Sequence, residues 1–120
     1  MAKEKRKQAY ARGHKGEGLA AFWLILKGHK ILQKRCKTPV GEIDLIARKG
    51  QTLLFVEVKA RADFETGAEA ITTRQKQRII RAAQYYLSGH PEIAQRPMRF
   101  DVILHAPPLK LRHIKNAWQT

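Results

Sequence analysis

The chain has 120 residues and carries 24 Lys plus Arg against 10 Asp plus Glu, a formal net charge of +14. That length supports one domain with its own core, and so basic a balance points to a polyanionic partner, with nucleic acid first. A single cysteine, Cys36, excludes an internal disulfide and a Cys-based zinc site, and a reducing cytoplasm is the expected compartment.

The chain opens with a basic stretch holding Lys3, Lys5, Arg6, Lys7, Arg12 and Lys15. Residues 1–7 read either as a mobile basic arm or as an ordinary solvated terminus. A helix is expected next, ending near Lys27 with Gly28 in the left-handed position that closes helices. Apolar residues from Leu19 to Leu26 cover most of its circumference, so its later half is expected to be buried. The run is too short for a membrane span, which needs roughly 18 residues. Lys27-Gly28-His29-Lys30 after it is no signal cleavage site, and no membrane association is expected. Glu17 sits among Gly13, Gly16 and Gly18. It is either a third acid aimed at a site or a first-turn acid offsetting the helix dipole.

Lys30–Lys37 reads as an edge strand whose lysines discourage strand-to-strand aggregation. The stretch from Val40 to Arg61 reads as a β-hairpin around Arg48-Lys49-Gly50-Gln51. Glu42 and Asp44 interrupt its first apolar strand, and Glu57 and Lys59 its second. Charges inside a buried strand are costly unless paired or bound to metal, and broken local rules mark functional sites. A turn at Lys49-Gly50, or a loop from Arg48 to Gln51, sets Asp44 opposite Phe55 and Glu42 opposite Glu57. Asp44 and Glu57 are then diagonal neighbours on one face, about 7–8 Å apart at Cα. A buried salt-bridge cluster, with Lys59, Lys76 or Arg61 satisfying the acids, is the alternative to a binding site.

Residues 62–70 read as a surface loop. Thr72-Thr73-Arg74-Gln75 matches a capping box, with Thr72 as N-cap and Gln75 at the third helical position. Ile79, Ile80, Ala83, Tyr86 and Leu87 form the apolar stripe of this helix, Lys76 extends it, and Gly89 ends it. Arg74, Arg78 and Arg81 form a basic ridge, and a helix start flanked by Arg74 and Lys76 suits a phosphate. Met98–Ala106 reads as a strand. Asp101 within it is read as a buried acid paired with a cation rather than a site residue. Leu109–Ile114 reads as a last edge strand. The five histidines show no zinc spacing, and no Ser-His-Asp array or P-loop is present.

The ordered set of an acid in the first helix, Asp44, and Glu57-Val58-Lys59 on adjacent strands resembles the PD-(D/E)xK nuclease superfamily, in the branch that includes archaeal Holliday junction resolvases. G-E-G-L-A at 16–20, G-E-I-D-L-I at 41–46, F-V-E-V-K-A-R at 55–61, Gln75-Lys76 and R-F-D-V-I at 99–103 together resemble the bacterial YraN family. The superfamily's proline before the first acid is absent, Ile43 standing there. The resemblance implies an α/β restriction-endonuclease-like core, a mixed sheet of four to five strands flanked by helices in the order α-β-β-β-α-β-β. It implies catalytic roles for Glu17, Asp44, Glu57 and Lys59. Mg²⁺ or Mn²⁺ would be held by Asp44 and Glu57, with the Val58 carbonyl as a further ligand. Lys15, Arg61, Arg74, Gln75, Lys76 and Arg78 are the expected nucleic-acid contacts. The expected activity is metal-dependent cleavage of DNA, possible on branched DNA and by a homodimer; the alternative is a binding module that keeps the fold without cutting.

Overall fold

The computed structural model describes residues 16–60 and 71–119. Residues 16–26 form helix α1. Strands β1 (Lys30–Thr38), β2 (Gly41–Lys49) and β3 (Thr52–Ala60) follow, then helix α2 (Thr73–Ser88) and strands β4 (Met98–Ala106) and β5 (Lys110–Trp118). The class is α/β in the order α-β-β-β-α-β-β. The five strands lie in one sheet in sequence order, antiparallel throughout except for the parallel pair β3–β4. No helix among the described residues is long and apolar enough to cross a membrane.

The central strands read as near-continuous apolar runs because both faces of the sheet are covered. Ala20, Ala21 and Leu24 of α1 pack on Leu45, Ala47, Leu54, Val56 and Ile103. Ile79, Ala82, Ala83 and Tyr86 of α2 pack on Ile43, Ile46, Phe55, Phe100 and Val102 on the other side. Gly28 closes α1 at φ 87, as the sequence predicts. The expected burial of the later half of α1 is not met: Phe22, Ile25 and Leu26 are 58%, 52% and 68% exposed. The helix lies on the sheet through Ala20, Ala21 and Leu24, and the sheet covers only that face.

The hairpin register also differs from expectation. Lys49 pairs with Thr52 and Ile46 with Phe55, so the turn is Gly50-Gln51 rather than Lys49-Gly50. Gly50 has φ 60 and Gln51 does not share the positive sign. That matches a type II′ turn, which wants glycine at its first central position. Asp44 is therefore not opposite Phe55, nor Glu42 opposite Glu57. A shift by two residues by itself preserves facing, but Ile43 and Ile46 pack on the same side of the sheet, so the expected alternation does not hold across Asp44. β5 runs on to Trp118 rather than stopping at Ile114. A bulge with Asn116 at φ 52 lets the strand continue, and Trp118 stacks on Phe100 with ring centroids 5.3 Å apart.

The capping box of α2 forms as predicted. The Gln75 backbone N–H donates to Thr72 Oγ1 at 3.1 Å, and the Thr72 N–H donates to Gln75 Oε1 at 2.9 Å. Thr72→Ala removes one arm of this exchange at an exposed position and is expected to lower stability by about 1 kcal/mol. Thermal unfolding followed by circular dichroism should show a midpoint lower by a few degrees, with an unchanged folded spectrum.

Candidate functional site

The site lies where the sheet splits. β2 and β3 pair regularly from Lys49/Thr52 to Leu45/Val56, and the paired register goes no further. Beyond it the Val58 N–H donates to Asp44 Oδ2 at 2.8 Å. A side-chain oxygen here does the work of a backbone carbonyl, so Asp44 lies between the two strands. Alternation breaks at the same row. Ile43 packs on the α2 side of the sheet and Leu45, two residues on, on the α1 side. In β1, Arg35 lies between the partners of those two residues and takes a left-handed φ of 54.

Asp44 in this wedge is reached from two directions. Glu17, the second described residue of α1, hydrogen-bonds it and feels its charge. Glu57 of β3 does the same. Glu57 also lines a groove of about 160 Å³ with Gly41, Glu42, Gln75, Arg78 and Ile79 on the α2 side. Burial, then the charge of Asp44, pushes the Glu17 carboxyl from 4.5 up to about 7, although Arg35 opposes this with Nε 3.1 Å from Glu17 Oε2. The same two causes push Glu57 up to about 9 against Lys59, whose Nζ is 3.8 Å from Glu57 Oε1. Burial and the repulsion among the acids thus outweigh the pull of the two cations on both glutamates.

These are hard oxygen donors, the type that Mg²⁺ and Mn²⁺ take. Among the described residues no group of three His, Cys, Asp or Glu side chains is arranged as a ready-made metal cage. The donor set nonetheless fits such an ion, because Mg²⁺ is usually held by one or two carboxylates, with water and substrate phosphate completing its shell. Asp44 and Glu57 are the pair that could hold it, and a divalent cation would offset the charge that converges there.

The structure thus brings together Glu17, Asp44, Glu57, Val58 and Lys59. Arg78 and Gln75 line the groove beside Glu57, though Gln75 Oε1 is engaged in the helix cap. The approach of β2 to α2 that forms this groove is close: a Cβ on Gly41 would meet the Arg78 carbonyl oxygen at 3.0 Å. Arg74 is exposed and Lys76 half-buried, and neither lines the groove. Lys15 and Arg61, and the loop expected over 62–70, lie outside the described residues. Asp101 is fully buried and bound by His113 at 2.6 Å, Arg99 at 3.1 Å and the Asn116 N–H at 2.9 Å, a structural role as expected. Sequence reasoning passed over two residues. Arg35 read as one more cation of an edge strand. His105 had no visible partner; its Nδ1 sits against Gly16, where a Cβ would come within 3.1 Å, and so seats the start of α1 beside the acids.

The family model described as "Uncharacterised protein family UPF0102" matches residues 16–104, which includes every acid of the cluster. A UPF0102 protein of Bradyrhizobium diazoefficiens is 48% identical over 118 residues, covering 98% of this chain and 89% of its own. One from Bradyrhizobium sp. (strain ORS 278) is 51% identical over 117 residues, covering 98% and 83%. One from Parvibaculum lavamentivorans is 45% identical over 111 residues, covering 92% and 84%.

The raised carboxyls give a sign to the pH dependence of stability. Unfolded, both glutamates titrate near 4.5, so their favourable contribution is complete below that value. It is lost as pH rises through about 7 for Glu17 and about 9 for Glu57. In EDTA the melting temperature of Glu57→Gln should therefore fall less than that of wild type between about pH 5 and pH 8. Parallel melting curves for the two proteins would show that Glu57 does not share a proton in the cluster.

Proposed function

Since the chain belongs to the uncharacterised protein family UPF0102, we propose its activity from the site itself: metal-dependent hydrolysis of phosphodiester bonds in DNA, by an endonuclease of the PD-(D/E)xK type. The observation that carries this reading is the convergence of Glu17 and Glu57 on Asp44 at the split between β2 and β3, with Lys59 alongside. The order of these residues, which resembles that of the PD-(D/E)xK nucleases and the YraN family, supports the same reading.

Asp44 and Glu57 would hold Mg²⁺ or Mn²⁺, with the Val58 carbonyl as the further ligand. A bound divalent ion supplies Lewis acidity toward the phosphoryl oxygens and a more acidic water. The chain's own groups do the rest. The Val58 N–H holds one Asp44 oxygen in place at the wedge where Glu17 and Glu57 converge. Lys59, held near Glu57, is placed to orient the attacking water and to offset charge that develops on phosphorus oxygens. Glu17 is placed to accept the proton of that water or to hold a second ion. Arg78 beside the groove is a cation for a neighbouring phosphate, and Arg74 and Lys76 at the start of α2 extend that basic surface. Arg35 and Lys59 already pair with Glu17 and Glu57. That pairing favours the second reading, a module that binds nucleic acid and leaves it uncut.

Labelled single-stranded, duplex, flap and four-way-junction DNAs, incubated with Mg²⁺, Mn²⁺ or EDTA, separate the two. Wild type should cut in metal and not in EDTA. Asp44→Asn and Glu57→Gln should each lose on the order of a hundredfold or more in rate while still binding. Mutants that cut as fast as wild type would place the chemistry elsewhere. Binding without cutting in every metal would assign the binding module.

A further inference from the structure

On the α1 side of the sheet, where α1 ends, three polar side chains are hydrogen-bonded in a row. Phe100 and Val102 pack toward α2 and Ile103 toward α1, so alternation along β4 turns Asp101 to the α1 side. Asp101 ties β4 to β5: it is fully buried and accepts from His113 Nε2 at 2.6 Å, Arg99 Nε at 3.1 Å and the Asn116 N–H at 2.9 Å. Burial works against its charge, yet these donors hold the carboxyl below its ordinary value, so it stays an ionised acceptor. With Nε2 donating, His113 presents Nδ1 as an acceptor, and Lys27 Nζ lies 3.1 Å from it. The Trp23 ring packs against both, its centroid 4.1 Å from Nζ and its plane T-shaped to the imidazole. The His113 side chain is 3% exposed and that of Asp101 0%, whereas Lys27 is half-buried, so the amine is the member that solutes reach.

An amine, a base within hydrogen-bond reach and an acid that orients the base make the arrangement of an activated nucleophile. Passing a proton from Nζ to Nδ1 leaves a neutral amine beside an imidazolium that Asp101 stabilises. The surroundings favour that transfer. Burial first, then the charges of Lys115 on β5 and Lys49 on β2, lower the Lys27 pKa; Arg99 on β4 adds to them and Asp101 opposes. His29, which follows α1, lies 6.2 Å from His113 between ring centroids, and burial lowers its pKa, so it adds no charge at neutral pH.

We propose that Lys27 is a nucleophilic amine, activated by His113 and oriented through Asp101, that forms a Schiff base with the aldehyde of a phosphate-bearing sugar. His113 takes one proton from the ammonium, and the Nζ lone pair attacks the carbonyl carbon. A second Nζ proton moves to the carbonyl oxygen, giving a carbinolamine. The imidazolium returns its proton to that hydroxyl, which leaves as water while the nitrogen lone pair completes the C=N bond. The product is a protonated imine that keeps the charge of the starting ammonium, and no oxidant or reductant is consumed. The aldehyde follows from the chemistry of a free amine, and the phosphate from the charges around it. The acid among the neighbours of Lys27 is Asp101, already engaged by three donors, while Lys49 and Lys115 are exposed, which favours an anionic substrate. The sugar is supplied either as a free sugar phosphate or as a base-less sugar within a DNA strand. The acids at the split of the sheet take no part, so the reaction does not depend on whether they cut DNA.

The test incubates the full chain in EDTA with 2-deoxyribose 5-phosphate or with an oligonucleotide carrying one abasic site. Cyanoborohydride reduces the imine, and peptide mass spectrometry locates the modified lysines. At pH 7 Lys27 should be modified at least about tenfold faster than the exposed Lys110 of the same molecule. Lys27→Arg keeps a cation over Trp23 and should remove most of the trapped product. His113→Gln, with the wild-type far-UV circular dichroism, should slow Lys27 to within about twofold of Lys110. It should also raise the pH of half-maximal reaction at Lys27 by about one unit while the Lys110 profile stays in place. A lysine that only packs on Trp23 would show neither change. Should the His113 variant fail to fold, the ratio of Lys27 to Lys110 within wild type still decides. Adducts with the free sugar phosphate identify a small substrate as sufficient, and adducts with the oligonucleotide alone identify a strand. Equal modification of Lys27 and Lys110 by both probes, or a folded His113→Gln protein that keeps the wild-type rate at Lys27, would overturn the proposal.

Discussion

The hydrogen bond from the Val58 N–H to Asp44 Oδ2 is the constraint around which the candidate site is arranged. In an uninterrupted ladder a β2 carbonyl would take that proton and the strands would stay at ordinary spacing. A carboxylate inserted instead holds the strands apart and leaves a notch in the plane of the sheet. The notch is what allows an acid from the α1 side and an acid on the α2 side to meet, since a closed sheet would keep them apart. The left-handed backbone at Arg35 and the change of facing between Ile43 and Leu45 belong to the same row. The local distortion is thus shared by three neighbouring strands.

Much of this was legible in the sequence, for reasons that differ by residue. The start of α2 was readable because a capping box is a local exchange between Thr72 and Gln75 that no tertiary contact has to supply. β4 was readable because its apolar run is bounded by prolines. The expected faces of β3 survived a misplaced turn, since moving the register by two preserves facing, whereas the break in alternation between Ile43 and Leu45 of β2 has no local signal in the sequence. The turn itself was misplaced because Lys-Gly and Gly-Gln are both plausible centres until the sign of φ at Gly50 decides. The exposed face of α1 was misread because an all-apolar helix surface looks the same in sequence whether it is covered or bare. Arg35 could not be found, since its role depends on a backbone conformation that an arginine rarely takes.

The charges are laid out unevenly. Glu17, Glu42, Asp44 and Glu57 gather around the notch, with Arg35 and Lys59 as their partners. At the other end of β3, Lys27, Lys49, Lys115 and Arg99 surround one acid that is already engaged. A +14 chain could have dispersed its acids among its cations as surface pairs. Concentrating them sets like charges together at each end.

The single parallel pairing, β3 with β4, has a consequence for how the chain folds. β1, β2 and β3 form a meander, and β4 and β5 a hairpin, so each group can close through short loops. Joining them requires α2 and its flanking segments to be spanned first, because Leu53 pairs with Met98 and Ala60 with His105. Loop closure must precede the reward of those contacts, which makes the non-local junction the slow step of assembly. Until it forms, the edges of β3 and β4 stay unpaired, and they are the surfaces on which nascent chains would associate with one another.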